Sequence, residues 1–243
     1  MGVDRISELE SRLAAVRERI AVACTAAGRL PDAVELLAVT KTVPATDVAI
    51  LIDLGLTAFA ENRVQEAGTK VAEVAALRPD AAPRWHLVGG LQRNKAKAAV
   101  RWADRVESVD SIRLADALND AVRRAEATSG RPVPLPILVQ FSVDGDPSRG
   151  GIDRAGLLGL ADHVASRAAL RLCGLMAVAP LGEDPEIAFT AIAEAATALR
   201  EHHPEARTLS AGMSGDLEVA IRHGSDVVRV GTALVGERRL TSR

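Results

Sequence analysis

The sequence lacks several residue types and patterns that other classes of protein require. None of its 243 residues is a tyrosine, and aromatic residues make up only 2%. The two cysteines, Cys24 and Cys173, lie far apart in the sequence, so neither a disulfide framework nor a cysteine metal site is expected, and a reducing cytoplasm fits best. The sequence contains no run of about 18 apolar residues, so no membrane span is predicted. The residues after Met1 lack the apolar stretch of a signal peptide.

The charge balance excludes two further classes. Thirty Lys and Arg residues face 32 Asp and Glu residues, for a formal net charge of -2. The chain therefore has neither the basic excess typical of nucleic-acid binding nor an acidic tail. Hydrophobic residues make up 48% of the sequence, which is enough for one large core, and α/β barrels commonly form one domain of about 200–250 residues.

A regular alternation of strand and helix patterns follows an N-terminal helix. That helix is predicted over residues 4–27, where Ile6, Leu9, Leu13 and Val16 recur at spacings of three and four. Short apolar runs predict eight strands, at 36–40, 57–62, 85–89, 105–110, 136–143, 170–178, 207–211 and 226–231. Helices are predicted between them at 45–54, 63–76, 94–103, 111–129, 154–168, 184–202 and 216–223.

Strands that alternate with helices indicate an α/β protein with a parallel sheet. Eight such units favour closure into a single (β/α)8 TIM-type barrel with an extra N-terminal helix, so residues 1–243 are expected to form one domain. An open, doubly wound sheet is the alternative, but no Gly-x-Gly-x-x-Gly follows the first strand. In TIM-type barrels the functional face lies at the carboxyl ends of the strands, and phosphate sites often follow strands seven and eight.

Two residues at the ends of the first two predicted strands could carry chemistry. Lys41 ends the first strand, where an amine among apolar residues would lose charge and could attack a carbonyl carbon to form a Schiff base. The alternative for Lys41 is the start of a solvated loop. Asn62 ends the second strand and could bond a ring hydroxyl, or it could be a helix N-cap with Gln65 completing a capping box.

The last two strand ends have the composition of a phosphate site. Small residues over Ser210–Asp216 would leave backbone N–H groups accessible, although Ser214 could simply be an N-cap. Arg229 lies within an apolar strand and needs a carboxylate, a phosphate or a ring as partner, because a lone buried charge is costly. Gly231 and Thr232 then offer an N–H and a hydroxyl beside that strand.

The histidines give weaker signals. His86 lies within the third predicted strand, so it is either a core histidine with a partner or a site residue. His202 and His203 precede Pro204 at a helix end and are expected to be solvated. No metal-ligand spacing and no Ser-His-Asp arrangement stands out in the sequence.

Taken together, these segments resemble the pyridoxal phosphate homeostasis proteins, from about residue 35 to residue 236. The resemblance rests on Leu37–Thr42, Glu61–Glu66, Trp85–Gly89 with Leu91–Lys95, Gly174–Met176, Ser210–Ser214 and Val228–Thr232. It implies the barrel of the alanine racemase N-terminal domain and a bound pyridoxal 5′-phosphate (PLP). The pattern departs from the family at Arg63, where an aromatic is common, and at Ala211, where Met is common.

The resemblance also implies roles for the site residues. Lys41 would hold PLP as a covalent aldimine, and Asn62 would lie beside the ring hydroxyl. Arg229 would meet either the pyridine nitrogen or the phosphate, and both remain open at this point. The phosphate would be held by Ser214, Gly231 and Thr232, and the expected cofactor-binding set is completed by Met213, Ser210 and His86.

The expected function is a PLP carrier rather than an enzyme. In the similar racemases, a lysine moves protons on one face of the substrate, and a tyrosine from a second domain does so on the other face. This sequence has no tyrosine. We expect PLP homeostasis by a cytoplasmic protein, with PLP-requiring apoenzymes as further partners and a monomer implied by the resemblance. The alternatives are a weak PLP-dependent amino-acid racemase and a class I aldolase, which also uses a Schiff-base lysine and a phosphate site.

Overall fold

A computed structural model describes residues 3–130, 133–146 and 148–236 of the chain. Eight parallel strands close into a barrel in the order β1 to β8, with β8 paired to β1. The strands are β1 (Glu35–Val39), β2 (Ala58–Glu61), β3 (Arg84–Leu87), β4 (Arg105–Val109), β5 (Leu135–Phe141), β6 (Leu170–Ala177), β7 (Thr208–Ser210) and β8 (Val227–Val230). The predicted TIM-type barrel is therefore confirmed.

Helices follow the strands around the outside. They are α1 (Val3–Ala26), α2 (Ala45–Asp53), α3 (Val64–Leu77), α4 (Ala96–Ala99), α5 (Ile112–Ser129), α6 (Arg154–Ala165), α7 (Pro185–His202), α8 (Leu217–Arg222) and α9 (Thr232–Val235). The predicted helix at 94–103 is shorter, because a 3-10 turn at Arg93–Lys95 precedes α4. The short α9 was not predicted, since a single turn is too brief to show a helical period.

The extra helix α1 packs its apolar stripe against the barrel's outer layer. Leu9, Leu13, Val16 and Ile20 are all buried, and they belong to the main hydrophobic cluster of the molecule. The predicted N-terminal helix is confirmed, and it contacts α8 and α9, the two helices beside the last strands. In the described part of the chain, no helix is both long and apolar enough to cross a membrane.

Candidate functional site

A cavity of about 770 Å³ opens at the carboxyl ends of the strands. It is lined by residues at or after the ends of β1, β6, β7 and β8, among them Lys41, Met213, Ser214, Arg229, Gly231 and Thr232. A smaller cavity of about 380 Å³ contains Asn62, Arg63 and Glu66, and it shares Lys41 and Thr42 with the larger one. Lys41 therefore stands where the two cavities meet.

The backbone before Lys41 is fixed by hydrogen bonds among Thr40, the buried carboxylate of Glu61 and Lys70. The Thr40 hydroxyl donates to Glu61 Oε1 at 2.7 Å, and Lys70 Nζ donates to the same oxygen and to the Thr40 carbonyl, also at 2.7 Å. Lys41 itself is exposed. The expectation that apolar strand residues surround its amine is wrong, because β1 ends at Val39 and Lys41 belongs to the turn that opens towards solvent.

Asn62 is not a helix cap, so that alternative is wrong. Helix α3 begins at Val64 with Arg63 at the N-cap position, and no side chain bonds the cap. The half-buried Asn62 side chain is thus left to the smaller cavity. The loop after β3 approaches closely here: a Cβ on Gly89 would lie 2.2 Å from the Asn62 carbonyl oxygen.

The two loops of the expected phosphate site are joined to each other. Gly212, with a φ of 95°, turns the chain after β7, and Met213 N donates to Asp216 Oδ1 at 2.5 Å. Helix α8 begins only at Leu217 with Asp216 at the N-cap position, so the N-cap interpretation of Ser214 is wrong. Instead, Ser214 Oγ accepts a 3.4 Å bond from Ala233 N, in the first turn of α9.

Helix α1 supports these loops from outside. Arg19 donates to the Ser214 carbonyl at 2.9 Å and to both carboxylate oxygens of Glu218, at 2.8 and 3.0 Å. Arg5 donates to the Val235 carbonyl at 3.0 Å and pairs with Asp47 on α2. The N-terminal helix therefore holds the loop after β7 and the end of α9 in place.

Behind the cavity, Arg229 is held in a buried network. Arg229 Nη1 donates to the Ser210 carbonyl at 2.6 Å and to Ser210 Oγ at 2.9 Å, and Nη2 donates to the Ala177 carbonyl at 2.7 Å. The Ser210 hydroxyl donates to Glu107 Oε2 at 2.6 Å, and His86 Nδ1 lies 2.7 Å from Glu107 Oε1. All four polar side chains are at most 5% exposed.

The charges in this network support one another. Burial opposes ionisation of Glu107, but hydrogen bonds from His86 and Ser210 and the nearby charges of His86 and Arg229 hold the Glu107 pKa below its usual value. Burial lowers the pKa of Arg229, and the charges of Glu107 and Asp216 work against that shift. An ionised Glu107 thus balances a fixed positive charge at the base of the cavity.

The structure brings most of the expected site residues together. Of the nine, six line the larger cavity and Asn62 lines the smaller one. The other two, His86 and Ser210, lie behind Arg229 in the buried network. Sequence reasoning missed Glu107, although an acidic residue inside an apolar strand needs a partner as much as Arg229 does. It also missed Arg19, which nothing distinguishes in sequence from its charged neighbours on α1.

Comparisons with known proteins agree with this architecture. The family described as "Alanine racemase, N-terminal domain" matches residues 11–239. The pyridoxal phosphate homeostasis protein of Mycobacterium tuberculosis is 48% identical over 98% of this chain and 96% of that protein.

Solved structures show the same fold. PipY of Synechococcus elongatus PCC7942, solved with PLP bound, is 33% identical with a TM-score of 0.78 over 94% of this chain and 100% of that one. Alanine racemase from Corynebacterium glutamicum is 16% identical with a TM-score of 0.64, over 95% of this chain and 62% of that one, which is a likeness of fold.

Proposed function

Because the chain belongs to the pyridoxal phosphate homeostasis protein family, we propose that it binds PLP in the cavity at the carboxyl ends of its strands, through a Schiff base to Lys41. The observation that carries the proposal is the joint position of three features on one cavity: the Lys41 amine, the fixed charge of Arg229 and the loops that contain Ser214 and Thr232. A relative of the same fold, PipY, has been solved with PLP.

The residues present fit the parts of PLP. Its phosphate needs hydrogen-bond donors and space for a close approach, and the joined loops offer the Ser214 and Thr232 hydroxyls and the Gly231 N–H. Met213 lines the same wall. Asn62, free of any helix-capping role, would lie beside the ring hydroxyl.

Arg229 would face the pyridine ring rather than the phosphate. Its Nη atoms are anchored at Ala177 and Ser210, at the ends of β6 and β7, and not in the loops that carry Ser214 and Thr232. A guanidinium donates hydrogen bonds, cannot accept one and keeps its positive charge, so it favours an unprotonated ring nitrogen and weakens the ring as an electron sink. His86 and Ser210 would act through Arg229 rather than by touching PLP.

This electrostatic environment favours storage over turnover. When bound, PLP supplies a reactive aldehyde and an electron sink; at the cavity the chain contributes the exposed Lys41 and an Arg beside the ring, and its sequence contains no tyrosine. The role we propose is homeostasis of PLP in the cytoplasm, by a monomer that passes PLP to apoenzymes that require it.

The visible spectrum of the purified protein tests this proposal. A Schiff base of PLP absorbs near about 420 nm, where sugar imines do not. The sequence contains four lysines, at 41, 70, 95 and 97. We expect the band in the wild type and in Lys97→Ala, an exposed residue of α4, and its loss in Lys41→Ala. Borohydride reduction and peptide mapping should place the label on Lys41.

Two results would overturn the proposal. A wild-type protein that stays colourless with added PLP would show that the cavity does not bind PLP. Borohydride-fixed PLP on Lys70, Lys95 or Lys97 would show that the Schiff base forms at another lysine. Prolonged incubation with L-amino acids and chiral analysis separates the carrier from a racemase. Turnover well above that of free PLP would replace the carrier function with a catalytic one.

A further inference from the structure

We propose that Asp162, His202 and His203 form a binding site for a divalent transition metal of the Zn²⁺ class, on the outer face of the barrel and separate from the PLP cavity. Both histidine Nε2 atoms lie 2.9 Å from the same oxygen, Asp162 Oδ1. The three ligand atoms all lie within 4.8 Å of one another. We refer to these three residues as the histidine cluster.

The end of α7 makes this arrangement possible. Neighbouring residues of an α-helix point about 100° apart, so two consecutive histidines in a helix cannot share one ligand. Helix α7 ends at His202, and His203 has left the helical region with a φ of -128° and a ψ of 85°. That change of backbone turns its ring to the same side as the ring of His202, where Asp162 of α6 meets both.

The donor set selects a class of metal. Two imidazoles and one carboxylate suit Zn²⁺, Ni²⁺ or Cu²⁺, whereas Mg²⁺ and Ca²⁺ require mostly oxygen ligands. Ligands of a tetrahedral Zn²⁺ lie about 2.0–2.1 Å from the ion and thus about 3.3 Å from each other. The 2.9 Å separations in the histidine cluster need to widen by only a few tenths of an ångström.

Two other pairs of a histidine with a carboxylate differ from the histidine cluster in the charge beside the carboxylate. His163 pairs with Asp116, and His223 pairs with Glu186. Each of those carboxylates also binds an arginine, Arg167 and Arg222 respectively, and a fixed positive charge repels a metal ion.

Asp162 is different. In the described part of the chain, its recorded ion pairs are with His202 and His203 alone. Neither partner is a lysine or an arginine, so no permanent positive charge lies against Asp162 in these pairs, and histidine is a common metal ligand.

The exposure of the histidine cluster is compatible with an ion that enters from solvent. The Asp162 and His202 side chains are 55% and 49% exposed, and that of His203 is 21% exposed. Three protein ligands leave a fourth position open for water or an exogenous ligand. A bound ion would also join α6 to α7.

Calorimetric titration with ZnCl₂, on full-length protein first dialysed against EDTA, tests the proposal. We expect one Zn²⁺ per chain in the wild type, and loss of that binding in Asp162→Asn and in His203→Gln. His163→Gln and His223→Gln are the matched controls, because each removes a histidine whose carboxylate partner also binds an arginine, and both should bind Zn²⁺ as the wild type does. Co²⁺ in the same site should give a visible absorption band.

Thermal unfolding gives an independent readout. At a Zn²⁺ concentration about 100-fold above the dissociation constant, Tm should rise by about 5–10 °C in the wild type and both controls, and not in Asp162→Asn. Without metal, all variants should unfold within about 1–2 °C of the wild type, since the changes are on the surface. No binding by the wild type, or equal binding by His203→Gln, would overturn the proposal.

Discussion

Glu107 of β4 and Ser210 of β7 meet inside the barrel, where the Ser210 hydroxyl donates a 2.6 Å hydrogen bond to Glu107 Oε2. Ser210 Oγ also accepts from Arg229 Nη1. One hydroxyl thus connects a buried carboxylate to the buried guanidinium that borders the cavity. The charge of Arg229 on β8 at the base of the cavity therefore depends on Glu107, which lies four strands away on the opposite side of the barrel.

The first prediction concerns the balance of these two charges. Glu107→Gln keeps the shape of the side chain and removes its charge, so Arg229 loses one of the two carboxylate charges that favour its ionised form, the other being Asp216. Glu107 reaches Arg229 through the Ser210 hydroxyl rather than by direct contact, so we expect a loss of about 1.5–3 kcal/mol, the size of a hydrogen bond to a charged group, in the free energy of unfolding measured by urea denaturation. Glu194→Gln is the control: Glu194 pairs with Arg154 on the surface, and its loss should change stability by less than about 1 kcal/mol. A loss of similar size in both variants would contradict the balance.

The second prediction is the pH dependence of the same group. Hydrogen bonds and the charges of His86 and Arg229 hold the pKa of folded Glu107 below its usual value, despite burial. A depressed carboxyl pKa stabilises the fold above the unfolded value of about 4.3, and that contribution disappears as the pH falls through the folded pKa. The difference in unfolding free energy between wild type and Glu107→Gln should thus be constant from about pH 7 to pH 5 and shrink below about pH 4. A difference that grows on acidification would mean that the pKa is raised.

The barrel could be predicted from sequence because most strands are short apolar runs and the longer helices show a helical period. The site was harder, because its side-chain partners come from distant segments. The rule that a buried charge needs a partner predicted that Arg229 is paired, but only the closure of the barrel brings Ser210 and Glu107 to it. The same rule applied to Glu107, an acidic residue within the buried strand β4, would have predicted that this carboxylate also has a polar or charged partner.

Sequence rules for helix caps and strand ends failed where a shift of one or two residues decides which way a side chain faces. Asn62 and Ser214 are both good N-cap types, yet α3 begins one residue later than an Asn62 cap requires, and α8 begins two residues later than a Ser214 cap requires. Each side chain is consequently left beside a cavity. Lys41 was expected among apolar groups, but the turn after β1 exposes it. Helix boundaries and turn directions depend on tertiary contacts that no short window of sequence contains.

The third prediction tests whether α1 supports the proposed phosphate site. Arg19→Gln removes the charged donor to the Ser214 carbonyl and the pair with Glu218. Since the Arg19–Glu218 pair is partly exposed, we expect PLP affinity to fall by only about 3- to 10-fold. The Schiff-base absorption at about 420 nm should keep its position at saturation. Arg17→Gln is the matched control, because Arg17 lies on the same helix and faces the Leu54 and Gly55 carbonyls before β2. Equal affinities for both variants and the wild type would show that α1 does not support the loop.

The fourth prediction uses two adjacent glycines, Gly89 and Gly90. A Cβ on Gly89 would lie 2.2 Å from the Asn62 carbonyl oxygen and 2.7 Å from the Asn62 Cα, and backbone atoms cannot move aside as a flexible side chain can. A Cβ on Gly90 would meet nothing within 4 Å. Gly89→Ala should therefore cost about 1–3 kcal/mol of unfolding free energy and displace Asn62 from the cavity.

Gly90→Ala should be close to neutral, within about 0.5 kcal/mol, because nothing near it must move. Urea denaturation measures the cost of each change, and PLP affinity reports the position of Asn62. Because the two variants add the same methyl group to neighbouring residues, any general effect of alanine on the loop after β3 cancels between them. If Gly89→Ala binds PLP as tightly as Gly90→Ala does, then either the loop yields without moving Asn62 or Asn62 contributes nothing to binding, and the role proposed for Asn62 beside the ring hydroxyl loses its support.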